Sequence, residues 1–242
     1  AKGFSRMVIK QVSEAKGITV ESRFKATKTT FDELLTEEVN IPLTEAQQAV
    51  YEPIQEAMNS HVHKTYLLHG VTGSGKTQLY LRATAKCISQ DKTAIILVPE
   101  IILTDQIVRR FVETFGDEVV VFHSKLTVQQ RNNNWERLRR KDSHIIIGAR
   151  SAVFAPAEDI GLIVVDEEHD PSYKQEDMVR YHARNVALWR AEAHGCPVIL
   201  GSATPSVTSY YKAKQGEYHL LELPNRIFEQ PMPKVTIVDM KE

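Results

Sequence analysis

Residues 70–77 read Gly70-Val71-Thr72-Gly73-Ser74-Gly75-Lys76-Thr77, a glycine-rich run that ends on a lysine and a hydroxyl. Such a run can curl its backbone so that successive N–H groups point at phosphate oxygens. It follows an apolar strand-like segment and opens a helical one, the setting a triphosphate cradle requires, and the helix adds its positive N-terminal end. In that setting Lys76 is expected to reach the β- and γ-phosphates and Thr77 to ligate Mg2+. A second block, Asp166-Glu167-Glu168-His169, follows Leu162-Ile163-Val164-Val165 directly. Carboxylates there stand at the C-terminal edge of a parallel sheet, where such sheets take ligands. Asp166 is expected to hold Mg2+ through water, and Glu167 to orient and deprotonate an attacking water. Glu168 suits either a structural or a coupling role. A third block, Gly201-Ser202-Ala203-Thr204-Pro205-Ser206, brings hydroxyls to the end of another strand. His169 is read as the link from the acidic block to Ser202 and Thr204.

Upstream, Leu43-Thr44-Glu45-Ala46-Gln47-Gln48 stands ahead of the loop. A glutamine amide both donates and accepts, so it can pair with adenine, and Gln47 is the candidate. In the competing reading both glutamines face solvent on an amphipathic helix. The implied cofactors are ATP and Mg2+.

The elements that must position these blocks are short apolar runs alternating with helical patterns. Strands are expected at Thr65–His69, Thr93–Val98, Val119–Phe122, His144–Gly148, Gly161–Val165 and Pro197–Gly201. Their unbroken apolar character fits strands covered on both faces. Helices are expected at Thr44–Asn59, Lys76–Gln90, Thr104–Phe115, Val128–Arg140 and His182–His194, with Thr44 as an N-cap. The alternation predicts an α/β fold, a mostly parallel sheet with helices on both faces.

The 242 residues carry a net charge of −1, so contact with nucleic acid must come from local clusters. Residues 1–28 are one such cluster, with seven basic side chains against Glu14 and Glu21. They read as a helix and a strand, too little to fold alone and expected to be the end of a neighbouring domain. Residues 29–42 read as a linker, and 43–242 as the main domain. Two isolated cysteines, Cys87 and Cys196, form no disulfide framework and no zinc site, which suits a reducing cytoplasm. No apolar run approaches the roughly 18 residues of a membrane span, so no membrane partner is expected. The absence of a starting Met and the ending at Glu242 lead us to expect a piece of a longer chain.

These blocks resemble those of superfamily 2 helicases, most closely the primosomal (N′-type) helicases of bacterial replication restart. The resemblance rests on residues 70–77 and on Val98-Pro-Glu-Ile-Ile-Leu-Thr104 with Gln106. Phe122-His-Ser124, Ile147-Gly-Ala-Arg-Ser-Ala-Val-Phe154 and Asp166-Glu-Glu-His-Asp170 extend it. Tyr173-Lys-Gln175, Arg180-Tyr-His-Ala-Arg184 and Gly201-Ser-Ala-Thr-Pro205 complete it. It departs from the family at Ala149, Val179 and Asn185, where Thr, Pro and Asp are common. It implies a RecA-like P-loop NTPase lobe preceded by the end of a winged-helix domain. Zinc is implied only outside this chain, as is a second lobe, without which this piece is expected to be nearly inactive. The implied activity is ATP-dependent 3′→5′ DNA unwinding at stalled forks, in the bacterial cytoplasm.

Residues 170–184 mix Tyr173, Tyr181 and His182 with Lys174, Arg180 and Arg184. Rings there can stack on bases while cations follow phosphates. In related helicases such a loop couples DNA to hydrolysis, and the alternative is a surface loop whose tyrosines pack on the lobe. Thr104, Arg150 and Ser151 are expected to touch the DNA backbone. Ser202 and Thr204 are expected to sense nucleotide through His169. The implied partners are forked or single-stranded DNA, single-strand-binding protein and primosome proteins. Two other functions fit: a different superfamily 2 translocase, such as a RecG-like or restriction motor, or a primosome docking module with little activity of its own.

Overall fold

The computed structural model describes residues 39, 41–100, 106–124 and 126–227. Helix α1 (Glu45–Ser60) precedes β1 (Thr65–Gly70), α2 (Lys76–Ser89), β2 (Thr93–Leu97), α3 (Gln106–Phe115), β3 (Val119–Phe122) and α4 (Val128–Arg139). Then come β4 (Ile145–Gly148), β5 (Ile160–Asp166), a hairpin of β6 (Lys174–Gln175) and β7 (Tyr181–His182), α5 (Ala183–His194), β8 (Val198–Ser202), α6 (Val207–Lys214) and β9 (His219–Leu223). Seven strands form one sheet in the order β3-β4-β2-β5-β8-β1-β9, every neighbouring pair parallel. This is the layered arrangement of a RecA-like lobe, as the strand and helix alternation predicts. Apart from the expected helix start at Thr104, which lies outside the described residues, the expected boundaries hold to within one residue. The expected neighbouring-domain remnant at 1–28 lies outside the described residues, as do Thr104 and most of the expected linker.

Alternation along the central strands fills both faces of the sheet. Ala94 and Ile96 of β2 face α2 and α3, packing with Leu79, Ala83 and Phe111. Ile95 and Leu97 face the other layer, with Ala183, Ala187 and Ala191 of α5. Alanines four apart lie on one helix face and let α5 approach the sheet closely. Thr44 closes a capping box on α1: its hydroxyl accepts from the Gln47 N–H while the Gln47 side chain accepts from the Thr44 N–H.

No strand was expected after residue 201, yet β9 adds to the sheet beside β1. Its sequence, His-Leu-Leu-Glu-Leu, holds no β-branched residue and alternates poorly. Tertiary pairing with the buried β1 overrides that weak local preference.

A polar contact away from the sheet edge gives the fold a pH-sensitive element. The His144 Nδ1 lies 2.8 Å from Glu118 Oε2, with Asp91 3.8 Å from its Nε2. The Glu118 hydrogen bond, against burial, raises the His144 pKa above its usual 6.5. The stabilisation is therefore complete below about 6.5 and is lost as pH rises through the raised folded-state value. Between about pH 6 and 8 the urea midpoint is expected to fall more in the wild type than in Glu118→Gln. Parallel profiles for the two proteins would contradict this.

Candidate nucleotide site at the sheet edge

The phosphate loop leaves β1 and enters α2 at the C-terminal edge of the sheet. Gly75, the N-cap of α2, has φ +87°, and a Cβ there would stand 2.1 Å from Gln47 Nε2. Both the backbone angle and the space therefore exclude a side chain. The Lys76 ammonium donates to the Gly70 carbonyl at 2.7 Å, across the inside of the loop. Burial pulls Lys76 below its usual pKa, opposed by the charges of Glu167 and Asp166. A phosphate oxygen can replace that carbonyl as acceptor without moving the lysine out of the loop. The Ser74 hydroxyl is buried with no hydrogen-bond partner among the described residues.

Asp166 ends β5, beside Gly201 of β8. The Tyr80 hydroxyl donates to Asp166 Oδ1 at 2.9 Å, and the Tyr173 hydroxyl to the Asp166 carbonyl at 2.6 Å. Burial, then the neighbouring Glu167, push the Asp166 pKa up to about 6. A carboxyl placed so gains from any cation brought beside it. Asp166, tied to α2 through Tyr80, thus fits the Mg2+ role expected of it together with Thr77 in the first turn of that helix. Tyr80 also explains Gly201: a Cβ at that position would stand 1.8 Å from the tyrosine oxygen. The sequence reading missed Tyr80. Its signal is faint, a tyrosine four residues after Lys76, hence on the same face of α2.

Glu167 has φ +46°, a left-handed conformation for a side chain with no glycine freedom. Such a residue typically stores on the order of 1–3 kcal/mol, held by its surroundings. Here the Glu168 N–H donates to the Gly201 carbonyl at 3.0 Å and the Asp170 N–H to the Glu167 carbonyl at 2.8 Å. The strained turn aims Glu167 at the third block: the Ser202 hydroxyl donates to its Oε2 at 3.4 Å. Ser202 in turn lies 2.8 Å from His169 Nδ1, and its hydroxyl accepts the Thr204 N–H at 3.0 Å. The expected contact between His169 and Ser202 is present. Thr204 joins through its main chain, with its side chain exposed.

Glu168 is buried with no exposed side-chain area and faces Arg184, at 2.5 Å. Burial alone would raise its pKa, but bonds from the Ser206 N–H, Arg184 and the Ser209 hydroxyl outweigh that and lower it. Arg184 also donates to the hydroxyls of Ser206 and Ser209. The expectation that Arg184 touches DNA is therefore corrected: its guanidinium is committed to an internal carboxylate. Tyr173 is corrected too, because its ring is fully buried and its hydroxyl holds Asp166. Its apolar surroundings took the ring inward, as the alternative reading of the tyrosines allowed.

The rest of the 170–184 segment is a surface hairpin. Lys174 and Arg180 are exposed, with Lys174 paired to Glu176. Tyr181 meets Phe154 edge-to-face at 4.9 Å. Arg150 donates to the Ser172 and Lys174 carbonyls, bracing the hairpin's first strand, and Ser151 is exposed nearby in sequence.

Gln47 is buried and its amide is engaged at both ends, accepting from Thr44 and donating to the Ser74 carbonyl at 3.1 Å. Beyond it lies a cavity of about 650 Å3, between the start of α1 and the segment that follows β9.

Residues 44–212 match the family model described as DEAD/DEAH box helicase. The chain is 49% identical over 228 residues to replication restart protein PriA of Bacillus subtilis (strain 168), covering 94% of this chain and 28% of that protein. It is 44% identical over 195 residues to replication restart protein PriA of Chlamydia pneumoniae, covering 80% of this chain and 26% of that one. The chain thus spans little more than a quarter of the length of these relatives. Among solved structures, RecG bound to a three-way DNA junction superposes with a TM-score of 0.59 at 22% identity, covering 85% of this chain and 26% of that one. MrfA bound to DNA gives a TM-score of 0.54 at 19% identity, covering 80% of this chain and 30% of that one. Both likenesses are of fold.

Proposed function

The chain belongs to the DEAD/DEAH box helicase family, and we propose that it is the nucleotide-binding lobe of an ATP-dependent DNA helicase of replication restart. The observation that carries this reading is the meeting of Lys76, Asp166, Glu167 and the His169–Ser202 pair at one sheet edge, with a hairpin bearing the exposed cations Lys174 and Arg180 rooted on the same acidic segment. The loop N–H groups and Lys76 bind the β- and γ-phosphates. Thr77 and Asp166 would hold Mg2+, which when bound supplies charge neutralisation on those phosphates. Glu167 orients water in line with the γ-phosphorus and accepts its proton. His169 and Ser202 hold the Glu167 carboxylate in place and report its position to the loop at 202–206.

DNA is the proposed partner, forked or single-stranded, along a surface that includes Ser151, Phe154, Lys174, Arg180 and Tyr181. Thr104 belongs to the proposed path as well. The kinship to replication restart proteins extends the proposal to single-strand-binding protein and primosome proteins. No helix among the described residues is long and apolar enough to cross a membrane, and the proposed place of action is the bacterial cytoplasm.

The test is ATP–Mg2+ binding by calorimetry, wild type against Lys76→Ala. A charged hydrogen bond of this kind is worth roughly 10–100-fold in affinity, and that loss is expected. No binding by the wild type, or equal binding by both proteins, would overturn the nucleotide-site reading.

A further inference from the structure

The cavity beside the phosphate loop is walled on one side by Thr44 and Gln47 and on the other by Pro224, Asn225, Arg226 and Ile227. This second wall belongs to none of the three blocks that mark the site in sequence. It is nevertheless fastened to the loop at both ends. The Val71 N–H donates to the Leu223 carbonyl, and the Ile227 N–H to the Gly73 carbonyl, each at 3.1 Å. Between those ties the Arg226 stem crosses Gly73, its Cγ and Cδ within 3.9 Å of where a Cβ would stand. The Arg226 Nε is buried and has no hydrogen-bond partner among the described residues.

A buried, unpartnered guanidinium N–H is costly unless a ligand completes it. Gln47, the residue expected to read the base, already spends one donor and one acceptor on the α1 cap and the loop. The opposite wall offers two planar polar groups, the Asn225 amide and the Arg226 guanidinium, and of these the guanidinium has the buried N–H that is unpartnered among the described residues. We propose that Arg226 is a specificity-determining residue for the nucleotide. Its guanidinium plane packs on the face of a purine held in this cavity, and its buried Nε donates to the nucleoside. The proposal rests on the nucleotide-site reading above and adds the side of the site that selects the base. Arginine suits this role because its flat, weakly hydrated cation stacks on aromatic faces, which the lysine ammonium does not do.

Calorimetry of the chain with Mg2+–ATP, Mg2+–CTP and Mg2+–tripolyphosphate separates this proposal from its premise. Arg226→Ala and Arg226→Lys are both expected to weaken ATP binding roughly tenfold and to narrow the preference for ATP over CTP. Tripolyphosphate binding is expected to stay unchanged in both, because it lacks a base. Lys76→Ala is expected to weaken all three ligands. Unchanged ATP affinity in Arg226→Ala overturns the proposal, as does an equal loss of ATP and tripolyphosphate, which would mean that Arg226 only shapes the loop. Failure of the wild type to bind either ATP or tripolyphosphate overturns the nucleotide-site reading itself. Thermal unfolding of the variants within a few degrees of the wild type checks that the comparison is between folded proteins.

Discussion

In a protein that carries this lobe together with a second one, Glu167→Gln is expected to lower DNA-stimulated ATP turnover by about 10²–10⁴-fold, with ATP affinity changed only a few-fold. The amide keeps the shape of the carboxylate and its contact with Ser202 but cannot take the proton of the attacking water. The backbone at Glu167 supports the assignment independently of its place in the acidic block. A left-handed φ of +46° is costly for glutamate, and it is maintained by main-chain bonds to β8 and to Asp170. Strain of this kind persists where the surroundings fix one orientation, and here that orientation sets the carboxylate against Ser202 and His169. Asp166 differs in kind: it is held by Tyr80 and Tyr173, burial and Glu167 push its pKa up to about 6, and a cation beside it would favour its charged form. Asp166→Asn is thus expected to act on Mg2+ dependence, separating the two neighbours by readout. Turnover in Glu167→Gln within tenfold of the wild type would remove it as the base.

The nucleotide loop, the acidic block and the strand order that joins them were legible because each is encoded locally. Glycines must stand where φ is positive, and a carboxylate that directly follows an apolar run must stand at a strand end. Alternating β and α patterns then bring both to one edge. What was not legible depends on contacts distant in sequence. Tyr80 reads as one more apolar position of α2 until β5 places Asp166 against it. β9 has weak strand character and exists through its pairing with β1, and the cavity wall at 224–227 exists only because β9 does. The hairpin was legible as a mixture of rings and cations, but composition does not tell which rings face inward. Tyr173 and Arg184 carry the same residue types as Tyr181 and Arg180, and only packing separates the two that hold the acidic segment from the half-buried Tyr181 and the exposed Arg180.

Glu168 and Arg184 lead to the second large effect, on stability. The pair is almost wholly removed from water, with 0% of the Glu168 side chain and 13% of the Arg184 side chain exposed. Ser206 and Ser209 add bonds to both, so the start of α5, the start of α6 and the acidic segment meet on one carboxylate. Removing one member of such a pair leaves the other buried and unpaired, at a cost of about 3–5 kcal/mol. Glu168→Ala is therefore expected to lower the unfolding free energy by about that amount in urea titrations. Replacing both members with apolar residues of similar size, as in Glu168→Leu with Arg184→Met, removes the stranded charge and is expected to recover most of the loss. A cost below about 1 kcal/mol for Glu168→Ala would place the pair among ordinary surface contacts, against its burial. The double variant carries the functional argument further. One root of the hairpin is Tyr173 on Asp166 and the other is Arg184 on Glu168, so both strands of the proposed DNA surface are anchored to the segment that holds the proposed metal and base residues. With stability recovered and the second root gone, a protein that carries this lobe together with a second one is expected to keep its basal ATP turnover while its stimulation by DNA falls. Stimulation equal to that of the wild type would show that the Tyr173 root alone carries the signal.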